Sequence, residues 1–107
     1  MIENPKIEFL FWRDCPSHTQ ALARLQKVMS EVGNPAAIDE IEVVTEQEAE
    51  QLQFPGSPTI RIDGVDIDQD GAALMEVSLT CRLYRLEDGR PSPLPSEHMI
   101  RQALGAE

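Results

Sequence analysis

The chain has 107 residues, 41% hydrophobic and 26% charged, a balance that suits one soluble globular domain over 1–107. Acidic residues outnumber basic ones 19 to 9, the net charge is -10 at pH 7, and Lys and Arg are scattered along the chain. Such a surface repels phosphate backbones and anionic lipid, so neither nucleic acid nor a membrane surface is expected as a partner. No apolar run approaches the roughly 20 residues of a membrane span. Met1-Ile2-Glu3-Asn4-Pro5-Lys6 lacks the cationic and apolar regions of a secretory signal, and the expected location is cytoplasmic.

Lys6-Ile7-Glu8-Phe9-Leu10-Phe11-Trp12 is short, apolar and aromatic, which reads as a buried strand. Arg13-Asp14-Cys15-Pro16 breaks it, and Pro16 suits the first position of a helix because its missing N–H would be unpaired there anyway. Leu22, Leu25, Met29 and Val32 then recur at helical spacing, and Gly33 stands where the helix should close. Ile38 to Val44 reads as a second strand. Thr45 and Glu48 have the spacing of a capping box, which predicts a helix from Glu46 to about Gln53.

Phe54-Pro55-Gly56-Ser57-Pro58 is a loop rich in breakers. Asp63-Gly64, between Thr59–Ile62 and Val65–Asp68, is a strong hairpin signal. Within 69–80 the run Ala72-Ala73-Leu74-Met75 fits a helical turn or part of a lid. Cys81 to Leu86 reads as a strand, and Met99, Ile100, Ala103 and Leu104 mark the apolar face of a last helix. The order β-α-β-α-β-β-α predicts an α/β fold with a mixed four-stranded sheet covered by helices.

Two cysteines, Cys15 and Cys81, are too few for a disulfide scaffold, and a structural disulfide is not expected in a reducing compartment. Together with His18 and His98 they match no zinc spacing, so no metal site is expected. Asp63, Asp66, Asp68 and Asp70 lack the glycine and terminal glutamate of a calcium loop and read as a solvated acidic hairpin.

This order, with Phe11-Trp12-Arg13-Asp14-Cys15-Pro16-Ser17-His18 after the first strand and Gly56-Ser57-Pro58-Thr59 before the third, resembles the thioredoxin/glutaredoxin superfamily. More narrowly, Gly-Ser-Pro-Thr-Ile-Arg-Ile-Asp-Gly at 56–64 and Cys81-Arg82-Leu83-Tyr84 look like a group of small bacterial thioredoxin-like proteins, some labelled alkylmercury-lyase-like. The resemblance implies a thioredoxin-like fold, a redox role for Cys15 and a cis Pro58. The loop around Pro58 would face Cys15 and offer backbone hydrogen bonds to a thiol substrate. The dithiol pattern is broken at His18, where a resolving cysteine would stand.

A cysteine at a helix N-terminus meets unpaired N–H groups and the positive end of the dipole, which predicts a lowered thiol pKa for Cys15. His18, one turn on, would add a hydrogen bond or charge, while Asp14 would act against ionisation. The expected scheme is thiol–disulfide exchange with glutathione or a protein thiol, without a cofactor. Cys15 is the nucleophile, His18 tunes it, and Pro16, Ser57, Pro58 and Thr59 position the partner. Cys81 reads either as a buried, inert strand thiol, the preferred reading, or as a resolving cysteine folded back onto Cys15. Two alternatives stand beside this scheme. One is a non-catalytic binding module using the Cys15/Pro58 surface. The other is soft-metal or organomercurial handling by Cys15 and Cys81, with Asp14 as proton donor.

Overall fold

Strand β1 (Ile7–Phe11) runs down the middle of a sheet whose order is β2-β1-β3-β4, with β2 at Ile38–Glu42, β3 at Thr59–Ile62 and β4 at Val65–Asp66. The computed structural model describes residues 5–105, so the reading of Met1–Asn4 as free of a signal lies outside the described residues. β1 and β2 are parallel, with Ile7 opposite Ile38, and are joined through helix α1 (His18–Glu31). β3 returns antiparallel to β1, with Phe9 opposite Ile60, and β4 pairs antiparallel with β3. Helix α2 spans Glu46–Leu52, α3 Gln69–Ala73 and α4 Glu97–Ala103. Tyr84–Arg85 (β5) and Pro91–Ser92 (β6) form a separate two-stranded ribbon.

Period-two alternation gives the sheet two buried faces. Ile7 and Phe9 of β1 join Ile60 and Ile62 of β3 beneath Ala21, Leu25, Val28 and Met29 of α1 and Ile100 of α4. Burying each such large side chain contributes about 1.5–3 kcal/mol. Leu10 points the other way, into a smaller cluster with Val43, Ala49 and Phe54, to which Trp12, Val77 and Leu79 are added.

Local chemistry explains the boundaries. Gly33 (φ 70°) donates to Ser30 O and Asn34 to Met29 O, the paired bonds that close α1 after its left-handed residue. Thr45 Oγ1 accepts from the Glu48 N–H at 3.1 Å and starts α2. Asp63 (φ 53°) and Gly64 (φ 82°) are both left-handed, the turn that Asp-Gly favours between twisted strands.

Three expectations are corrected. β2 ends at Glu42 and β4 at Asp66, short of Val44 and Asp68. Residues 81–86 do not form a strand of the main sheet: Cys81 makes a single parallel bridge with Ser57, and the chain then turns into the β5/β6 ribbon. The cause is Arg82, whose side chain is fully buried beside Asp66, so that the segment wraps past β4 instead of pairing along it. The acidic hairpin is not simply solvated either. The Asp68 carboxylate accepts from the Gly71 and Arg85 N–H groups, and Asp63 Oδ1 accepts from the Lys6 N–H. Among the described residues no helix is long and apolar enough to cross a membrane.

Candidate functional site

Beyond β1 the chain folds into two successive turns. Trp12 N–H donates to Ser57 Oγ at 3.0 Å, Cys15 N–H to Trp12 O at 3.0 Å and His18 N–H to Cys15 O at 3.4 Å. α1 therefore opens at His18, with Ser17 at its N-cap and Pro16 in the preceding turn. Pro16 and Asp14 are exposed.

Cys15 is fully buried, at 0% exposure, and its Sγ donates to Ser57 O at 3.4 Å. His18 does not reach that sulfur. Its Nδ1 lies 2.7 Å from the Cys15 carbonyl oxygen, and its ring stacks on Phe11 with centroids 4.9 Å apart. A carbonyl only accepts, so the proton is on Nδ1, and His18 holds the turn that carries Cys15. The tuning contact expected from the sequence is thus replaced by a positioning one.

The Ser57–Pro58 peptide bond is cis, the isomer implied by the resemblance. Ser57, Pro58 and Thr59 are all buried. Both backbone groups of Ser57 are engaged within the chain: its N–H donates to Thr80 O at 2.7 Å, and its carbonyl accepts from Arg82 N–H at 3.0 Å. Thr59 Oγ1 donates to Gly56 O at 2.7 Å and accepts from Arg82 Nη1 at 3.1 Å. The two segments lie so close that a Cβ on Gly56, whose φ is 119°, would come within 2.8 Å of the Arg82 Cβ.

This pairing brings the two cysteines together. Cys81 Sγ lies 2.6 Å from Cys15 Sγ, a little beyond the roughly 2.05 Å of a disulfide bond. Cys81 is exposed, which corrects the preferred reading of it as a buried strand thiol. Desolvation, its hydrogen bond to Cys15 and the charge of the neighbouring sulfur push the Cys81 thiol up to about 11. At neutral pH it therefore stays protonated.

Arg82, Asp66 and Tyr84 are neighbours of the site to which the sequence reading gave no part in it. Arg82 Nη1 is 2.7 Å from Asp66 Oδ2, and the guanidinium lies 4.1 Å above the Tyr84 ring centroid. Tyr84 Oη donates to Pro58 O at 2.5 Å, and burial raises its phenol pKa, keeping it a neutral donor. Arg82 Nε is buried and finds no partner among the described residues, a cost of about 1–3 kcal/mol set against these contacts. The available signal was an arginine between Cys81 and Leu83, facing a hairpin that carries Asp66.

Among the described residues no group of three or more His, Cys, Asp or Glu is placed to hold a metal ion. Comparisons with protein families, curated proteins and solved structures return no match.

Proposed function

We propose that the protein is a thioredoxin-like thiol–disulfide redox protein in which Cys15 and Cys81 form one reversible intramolecular disulfide. The observation that carries this reading is the 2.6 Å approach of the two sulfurs. The fold part of the reading is supported by the strand order β2-β1-β3-β4, with one parallel pair and an antiparallel hairpin. It is also supported by the packing of the Ser57–Pro58 loop against Cys15. The cycle uses two cysteines, in place of the single-cysteine scheme expected from the sequence.

A partner disulfide is the oxidant. Cys15 and Cys81 each lose a proton, one Sγ–Sγ bond forms, and two electrons pass to the partner, whose S–S bond becomes two thiols. His18 and Ser57 hold the Cys15 turn, while Arg82 and Thr80 hold Cys81 above it.

The test is equilibration of the full chain in mixtures of reduced and oxidised dithiothreitol, followed by acid quenching and intact mass. The reading requires a single two-electron transition to a monomer lacking two hydrogens, with Cys15 and Cys81 linked in the peptide map. Two free thiols throughout the series would overturn it and return the chain to the binding-module reading. The same sulfur pair also suits a two-coordinate soft ion. Metal capture differs in its readout, because both thiols are then protected and no hydrogens are lost once the ion is removed.

A further inference from the structure

We propose that the site exchanges with a small thiol at Cys81, because residues 80–82 of the chain itself fill the place where an extended polypeptide would pair. The inference rests on the Cys15–Cys81 disulfide proposed above and names the attacked sulfur and the class of partner.

The first ground is access. Cys15 is fully buried and Cys81 is exposed, so an incoming thiolate meets Cys81 Sγ. Attack there breaks the Sγ–Sγ bond, expels Cys15 as thiolate and leaves the partner sulfur bonded to Cys81. A second molecule of the small thiol then attacks the partner's sulfur in that mixed disulfide. The products are the oxidised small thiol and the Cys15 and Cys81 thiolates, which take up the two protons released by the incoming thiols. Two partner thiols are oxidised and one protein disulfide is reduced, so the electrons balance.

The second ground is the backbone. A peptide recognised by strand addition needs free N–H and C=O groups to pair with. At Ser57 both are already bonded, to Thr80 O and to the Arg82 N–H. The segment is fastened on either side as well. Ser78 N–H donates to Phe54 O, Leu79 N–H to Glu46 Oε1, and the buried Arg82 guanidinium is paired with Asp66. The absence of a Cβ at Gly56 lets Arg82 settle there. An extended partner would have to displace all of these contacts, whereas a small thiol needs only the exposed sulfur.

The experiment takes the oxidised full chain and reduces it with free cysteine or with a short unstructured peptide carrying one central cysteine of matched thiol pKa. The expected result is reduction by free cysteine at least about tenfold faster per thiolate than by the peptide, since exchange rates follow access. Acid-quenched intermediates should carry the cysteine adduct on Cys81. An adduct on Cys15, or a peptide as fast as free cysteine, overturns the inference while leaving the reversible disulfide intact. Failure to form the disulfide at all removes both readings together.

Discussion

The sheet face beneath α1 and α4 is closed by aliphatic side chains of regular helices, whereas the opposite face is closed partly by the irregular segment 75–82. On the first face Leu25, Val28, Ile60 and Ile100 need only be apolar and of the right size. On the second, Ser57, Thr59, Asp66, Arg82 and Tyr84 must meet at particular atoms. The first arrangement supplies stability without directing any chemistry. The second fixes where two sulfurs stand, and it does so with a buried charge that a stability argument alone would not select.

Substitutions separate the two roles. Asp66→Asn leaves the Arg82 guanidinium buried without its counter-charge, and should cost about 3–5 kcal/mol in urea denaturation. It should also slow Cys15–Cys81 bond formation in the molecules that remain folded. Leu25→Ala, on the helical face, should cost about 2–5 kcal/mol through lost burial and a cavity. Its rate of bond formation per folded molecule should match the parent chain. Equal effects of both variants on sulfur pairing would erase the contrast between the faces.

Alkylation of Cys81 sharpens the comparison further. With its thiol pushed up to about 11 from an ordinary 9.0, the thiolate population at pH 7.5 falls about 100-fold. The greater nucleophilicity of a more basic sulfur offsets about tenfold of that, so iodoacetamide should react about tenfold more slowly than with an unperturbed cysteine. The rate should climb with pH toward a midpoint near 11. Cys15→Ser removes two of the three causes, the hydrogen bond to the Cys15 sulfur and the charge of that sulfur, and should move the midpoint down, though desolvation keeps it above 9.0. The smallest effect belongs to Thr45→Ala. Losing the α2 cap should cost about 1 kcal/mol and leave the Cys81 midpoint unmoved.

The parts of the fold legible in the sequence were those set by neighbours along the chain. Leu25 and Met29 recur at helical spacing, Thr45 and Glu48 mark a cap, and Asp63-Gly64 supplies two left-handed residues. Cys15 and the Ser57–Pro58 loop could be named for the same reason, as short motifs in a recognisable order. The path of 69–86 could not. Simple alternation around Cys81-Arg82-Leu83 turns the apolar Cys81 and Leu83 inward and the arginine outward, but the reverse is found. Asp66, Thr59 and the Tyr84 ring make burial of Arg82 favourable, and all three come from other elements or from beyond the immediate neighbour. Once Arg82 faces inward, Cys81 is carried to the surface side of Cys15. His18 was misplaced on a smaller scale, because a helix starting at Pro16 would present its ring differently from one starting at His18.

An exposed cysteine on a protein surface ordinarily offers a route to cross-linked pairs of chains. Cys81 has a competing sulfur at 2.6 Å, whose effective concentration lies at or above the mM range set by short tethers. For chains at µM concentration, that neighbour is favoured about 1000-fold over any sulfur on another molecule. On the proposed cycle oxidation should therefore run within one chain, and covalent dimers should accumulate in a Cys15→Ser variant, as non-reducing gel electrophoresis would report.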